Sequence, residues 1–208
     1  DLIVRAALAD SAASGAAVAI GRRGHLVRLR GYGTLDYDDE RAVTPATLFD
    51  LASLTKVVGT ATGAMILESE GRLDLDAPLA RYLPWWATGD RTRDAVTVRQ
   101  VLLHRAGLPA FQPWYRERQG AEAYRTALRE QALEYRPGTR TVYSDLDFML
   151  LGFVLEEVTG EPLDRFLAER VFHPLGMEDT EFRPDSTLLP RIAPTEVDTV
   201  YRHAHLRG

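Results

Sequence analysis

The chain has 208 residues, 45% of them hydrophobic, a formal net charge of -5 and no cysteine. That length and apolar content can bury a core as one large domain or two small ones. Without cysteine there are no disulfides, no thiol nucleophile and no zinc-thiolate site. Arginines scattered among the carboxylates leave no basic stripe for nucleic acid, and the longest nearly apolar run, VVGTATGAMIL, is about half of the roughly 20 residues a membrane span needs.

The first residues, DLIVRAALADSAASG, have a helical pattern. Residues 16–32, AAVAIGRRGHLVRLRGY, alternate in the strand manner around GRRG and predict a hairpin with one face on a core. TLFDLAS (47–53) reads as a short buried strand or extended segment leading to Ser53, which opens a helix running to about Glu70 and stopped by Gly71. Val57, Ala61, Ala64 and Met65 have helical spacing within it. Four further helices are predicted in chain order: TVRQVLLHRAGLP, ended by Gly107 and Pro109; the amphipathic GAEAYRTALREQALEY; the more buried SDLDFMLLGFVLEEVTG, ended by Gly160; and EPLDRFLAERVFHPLGM, with Pro162 at its first turn. The tail from Phe182 has loop composition. A lone hairpin is a poor partner for that much helix.

Ser53-Leu54-Thr55-Lys56 is the first candidate site. Of the 25 basic residues 24 are arginine, so Lys56 is the only lysine. A guanidinium stays charged at any working pH, whereas a buried amine can be tuned toward neutrality, so an amine kept here fits a proton-transfer role. With six serines, chance would place the lysine three after one of them about 0.03 of the time. Residues i and i+3 share a helix face, so the two side chains can meet, and the helix start offers a backbone amide for an oxyanion. The same pattern also suits an N-cap serine followed by a solvated cation, although a cation in the first turn opposes the helix dipole.

A second constellation, GTRTVYSDLDFMLLG, places Tyr143 and Asp145 just before a buried helix; alone it also reads as a capped helix preceded by a core aromatic. Together with FDLASLTK and LLHRAGLP, and with GYGTLD, GRLDLDAPLARYLP and VFHPLGMEDT in order, it resembles the serine beta-lactamase and penicillin-binding-protein superfamily. The branch is that of class C beta-lactamases, family VIII esterases and D-alanyl-D-alanine carboxypeptidases. This resemblance implies an α/β part plus an all-helical domain in the beta-lactamase/transpeptidase-like fold, with the sheet incomplete in this chain. The expected division is 1–58 for the front of the α/β domain, 59–190 for the helical domain and 191–208 for a loop toward a missing C-terminal part, with the active site in the crevice between domains.

Carried over residue by residue, the resemblance makes Ser53 the acylated nucleophile, Lys56 the neighbour that takes or shares its proton, and Tyr143 the relay to the leaving group. Asp145 stands where asparagine is usual. An amide donates and accepts, whereas a carboxylate only accepts, and its charge should hold Lys56 protonated. Trp114 and Tyr115 in FQPWYRE are candidates for lining the substrate cleft. The family's third motif, Lys or His followed by Thr or Ser and Gly, is not found after Lys56; it and the second oxyanion donor are expected on a C-terminal continuation of the same protein. The expected function is acyl transfer through acyl-Ser53 on small esters or D-amino-acid peptides ahead of beta-lactams, with no cofactor or metal, no nucleic-acid partner and no membrane span. The alternative is a non-catalytic penicillin-binding-like module that acylates without turnover. His104 reads as a structural residue of its turn, His203 and His205 as loop residues, and Asp74 and Asp76 as a solvated turn.

Overall fold

The computed structural model describes residues 1–207. Packing divides the chain into two compact units, one of Asp1–Ala52 with the segment from Glu181 onward, the other Ser53–Thr180.

The first unit holds helix α1 (Leu2–Ala9) and an antiparallel sheet in the order β1 (Gly15–Arg22), β2 (His25–Asp36), β3 (Asp39–Ala42). The predicted hairpin is present, closed by Arg23 and Gly24, both in the left-handed region (φ 51° and 78°), as a two-residue hairpin turn requires. Gly31 permits a close approach: a Cβ there would lie 2.0 Å from the Val43 carbonyl oxygen. Leu35, Val43 and Ala193 form a small core, while Ile20, Leu26, Val27 and Leu29 of the hairpin are exposed. Of the two readings of TLFDLAS, the extended segment is found in place of the buried strand. Only Leu48 makes a bridge, to Ile192, and Phe49 and Leu51 are exposed, because one strand-like residue pair supplies no face to bury. The tail is also more ordered than its composition indicates. It contains a 3-10 turn (Ser186–Arg191) and a hairpin of β4 (Glu196–Asp198) and β5 (Ala204–Leu206). His205 thus lies on a strand and its Nε2 sits 3.0 Å from Asp36.

The second unit is helical. The helix after Ser53 begins with a widened π-turn, Lys56–Ala61, and continues as α2 (Thr62–Ser69). The Thr62 hydroxyl donates to the Val57 carbonyl at 2.8 Å within that wide turn. A Cβ on Gly63 would lie 3.1 Å from Leu155 and Phe166, so glycine lets α2 pack tightly on α6 (Asp145–Thr159) and α7 (Leu163–Leu167). Leu67, Leu150, Leu151, Val154, Leu155, Phe166 and Leu167 make this core; each such side chain is worth about 1.5–3 kcal/mol when buried. Helix α7 runs on through a π-turn (Ala168–Phe172) and a 3-10 turn (His173–Leu175).

The short α3 (Arg91–Asp94) is capped by Asp90, and α4 (Val98–Leu102) by a Thr97–Gln100 capping box. Helix α4 stops before the predicted Gly107 and Pro109: His104 takes a left-handed φ of 57° and turns the chain first. Helix α5 (Ala121–Glu130) presents the carbonyls of its last turn to the buried Arg93. Asp74 and Asp76 lie in an exposed turn, Asp76 paired with Arg99 at 2.7 Å.

Candidate active site

The site is built where the start of the π-turn helix meets the N-terminus of α6. Ser53 and Lys56 stand one helical turn apart, and Lys56 Nζ donates to Ser53 Oγ at 3.1 Å. The same ammonium donates to Asp145 Oδ1 at 2.7 Å, across 89 residues of sequence. It also lies 5.0 Å from the centre of the Tyr143 ring. Ser53, Lys56, Tyr143 and Asp145 are therefore one cluster.

Its electrostatics are coupled. Burial works to lower the Lys56 pKa, but hydrogen bonds to Asp145 and Tyr143 outweigh it and hold the ammonium above its usual value. The Tyr143 phenol moves the other way. Hydrogen bonding to Ser53 lowers it first and the Lys56 charge adds to that, while Tyr143 itself is more than half exposed. The surroundings thus favour the charged form of Lys56 and loosen the proton of Tyr143.

Four hydrogen bonds from the turn after α4 fix Tyr143 and Asp145. The amide of Val142 donates to the His104 carbonyl (2.9 Å), that of Ser144 to His104 Nδ1 (3.0 Å), that of Asp145 to the Ala110 carbonyl (2.9 Å), and the Ser144 hydroxyl to the Pro109 carbonyl (2.6 Å). Ser144 Oγ also caps α6 by accepting from the Asp147 amide at 3.3 Å. The imidazole packs at a tilt against both Tyr143 (centroids 4.6 Å) and Phe148 (5.0 Å). His104 is thus structural, as its turn implied.

Trp114 and Tyr115 occupy a 3-10 turn, where Trp114 sets its edge on Tyr124 of α5 (6.1 Å, 80°) and Tyr115 lies near Phe111 (6.4 Å). These are packing contacts. No group of three or more metal-ligating side chains occurs among the described residues, and no helix among them is long and apolar enough to cross a membrane.

Asp147 escaped the sequence reading. Its side chain is 1% exposed, and neither carboxyl oxygen makes a hydrogen bond of ordinary geometry. Desolvation pushes its pKa up to about 8, with the Ala106 amide offsetting only part of that cost. The available signal was an acid on the inward side of an otherwise leucine-rich helix.

The beta-lactamase family model matches residues 1–204. A curated relative from Escherichia coli K12, provisionally named a D-alanyl-D-alanine carboxypeptidase, is 38% identical over 153 residues, 68% of this chain and 35% of its own length. A relative of the same name from Salmonella paratyphi B is 32% identical over 176 residues, 79% of this chain and 40% of its own. Among solved structures, EstCE1, described as a hydrolase with promiscuous acyltransferase activity, superposes with a TM-score of 0.82 at 28% identity over 99% of this chain and 56% of that one. A class C beta-lactamase superposes at 0.85 with 22% identity, over 100% of this chain and 56% of that one, a likeness of fold alone. The chain spans 35–40% of these curated relatives. With its helical unit, small antiparallel sheet and serine-lysine helix start, this chain belongs to the beta-lactamase family.

Proposed function

We propose that this chain carries the nucleophile of a serine hydrolase that works by acyl transfer through an acyl-Ser53 intermediate. The observation that carries this reading is the shared Lys56 ammonium, 3.1 Å from Ser53 Oγ and 2.7 Å from Asp145, beside a tyrosine whose phenol is depressed. Tyr143 in its phenolate form takes the Ser53 proton as Oγ bonds to the substrate's acyl carbon. The Ser53 backbone amide at the helix start offers one oxyanion donor. Collapse of the tetrahedral adduct breaks the bond to the leaving group, which receives the proton from Tyr143. Water then attacks the acyl carbon with Tyr143 again as base, the bond to Oγ breaks, and Ser53 regains its proton. Lys56 stays charged throughout and stabilises the phenolate.

The substrate class follows from Asp145 and the relatives' names: small esters and D-amino-acid peptides ahead of beta-lactams. A carboxylate engaged with Lys56 has no N–H to give a substrate carbonyl. The exposed Ile20, Leu26, Val27 and Leu29 support a reading in which a C-terminal continuation of the same protein covers the hairpin and supplies the second oxyanion donor. Intact mass of the full-length protein after a fluorophosphonate tests the nucleophile. One adduct mapping to Ser53 is expected; labelling elsewhere, or none, overturns the assignment. The Asp145–Lys56 pair also favours a second reading, a module that acylates without turnover. An adduct with a slow ester substrate that persists for hours would select it.

A further inference from the structure

His104 Nδ1 accepts the Ser144 N–H, so the neutral imidazole must carry its proton on Nε2. That bond pins the peptide joining Tyr143 to Ser144, while the ring packs at a tilt against Tyr143, centroids 4.6 Å apart. Asp147 Oδ2 lies 3.8 Å from the same Nδ1, buried and without an ordinary hydrogen bond. An ionised carboxylate there would favour the tautomer with the proton on Nδ1, which points that N–H at Asp147 and strips the Ser144 amide of its acceptor. An uncharged carboxyl makes no such demand.

Resting on the hydrolase reading above, we propose that His104 is a positioning residue for Tyr143, held in the required tautomer by the Ser144 N–H, and that Asp147, while its buried carboxyl is uncharged, leaves that tautomer undisturbed. The other charged and titratable groups around the pair are compatible with this. Lys56 disfavours a cationic His104, as does burial, and Asp145 opposes them more weakly. Tyr135, whose hydroxyl is buried, is held neutral first by that burial and, once Asp147 ionises, by the Asp147 charge as well. Arg105 is turned to the Gly138 carbonyl. Ionisation of Asp147 near pH 8 therefore releases the clamp.

Two measurements on the full-length protein test this. The first is the nitrogen chemical shifts of His104 across pH 6–10. A proton on Nε2 at pH 7, moving toward Nδ1 as Asp147 ionises, is expected; a proton on Nδ1 at pH 7 overturns the clamp whether or not Ser53 is a nucleophile. The second is the rate of fluorophosphonate capture by Ser53 over the same range. Wild type should lose rate above about pH 8, and Asp147→Asn, which cannot ionise, should abolish that loss. His104→Ala should slow capture about ten- to a hundredfold. His104→Asn should recover most of it, because Asn Oδ1 replaces Nδ1 and asparagine tolerates the left-handed φ of 57° at this position. Capture by Asp147→Asn with the same alkaline loss as wild type overturns the proposal and leaves the hydrolase reading standing. No capture by wild type overturns the hydrolase reading, while the nitrogen shifts still decide the tautomer.

Discussion

Arg93 and Asp147 are both buried, both charged in free solution, and both belong to the helical unit, yet they are treated in opposite ways. Arg93 donates from Nε to the Trp86 carbonyl (3.3 Å), from Nη1 to that of Gln131 (2.7 Å) and from Nη2 to that of Leu128 (2.7 Å). Its guanidinium carbon lies 3.6 Å from the centre of the Trp86 ring. The planar fork satisfies carbonyls that the end of α5 leaves without intrahelical partners, so the buried charge is compensated. Asp147 has no such shell. A buried charge with partners ties elements together; a buried acid without them becomes a proton-holding group, and this one lies behind the catalytic candidates.

Exchanging the two kinds of cation in this unit should break the comparison most visibly. Lys56→Arg keeps a charge beside Asp145 but forces a wide fork where a compact ammonium reaches both Ser53 and Asp145. Capture of a fluorophosphonate and ester turnover should fall on the order of a thousandfold, with melting little changed; Ser53→Ala should give no adduct at all. Retained turnover in the arginine variant would mean that a cation of either shape serves and that the compact ammonium between Ser53 and Asp145 is not needed. The reverse exchange, Arg93→Lys, replaces a three-way fork by one nitrogen and leaves carbonyls of the α5 end unpaired. It should cost about 2–4 kcal/mol of stability, read as a lower midpoint in urea, while Ser53 in the remaining folded protein is captured at the wild-type rate.

These contrasts also mark what was legible in the sequence. Ser53 and Lys56 could be paired from helix geometry alone, since i and i+3 share a face. Tyr143 and Asp145 could not: 89 residues separate Lys56 from Asp145, and only the family's ordered segments placed them together. Asp147 was hidden because an acid in a helix's first turn ordinarily complements the dipole from the surface, and nothing local says that this turn faces inward. The π-turn at Lys56–Ala61 was hidden because its composition suits an α-helix equally well. Strands of three residues, as in β4 and β5, are too short to show a period.

Asp145→Asn sharpens the contrast within the site. The amide loses the ion pair with Lys56 but gains an N–H for a substrate carbonyl. The ratio of kcat/KM for nitrocefin to that for p-nitrophenyl butyrate should rise about ten- to a hundredfold in the full-length protein. An unchanged or falling ratio would remove Asp145 from substrate selection. With Lys56 freed from its carboxylate, the ammonium should also titrate at lower pH than in wild type, because the hydrogen bond that raises it is gone.

The last contrast separates the two buried charges by their response to pH. In the unfolded chain Asp147 has a carboxyl pKa of roughly 3.9, and in the folded protein it is raised to about 8. Between those values the native state holds a proton that the unfolded state has released. Stability therefore falls as pH rises through that window: the contribution is complete below about pH 4 and lost once pH passes about 8. Asp147→Asn keeps the shape and cannot ionise, so the variant and wild type should melt alike at pH 4. Its advantage should grow through neutrality and level off above pH 8, at roughly 1.4 kcal/mol for each unit by which burial raises the native pKa. Arg93 stays protonated in both states over that range, so the penalty of Arg93→Lys should be flat between pH 5 and 9. A flat difference for Asp147→Asn as well would show that its carboxyl is already ionised in the native protein, and the contrast between the two regions would disappear.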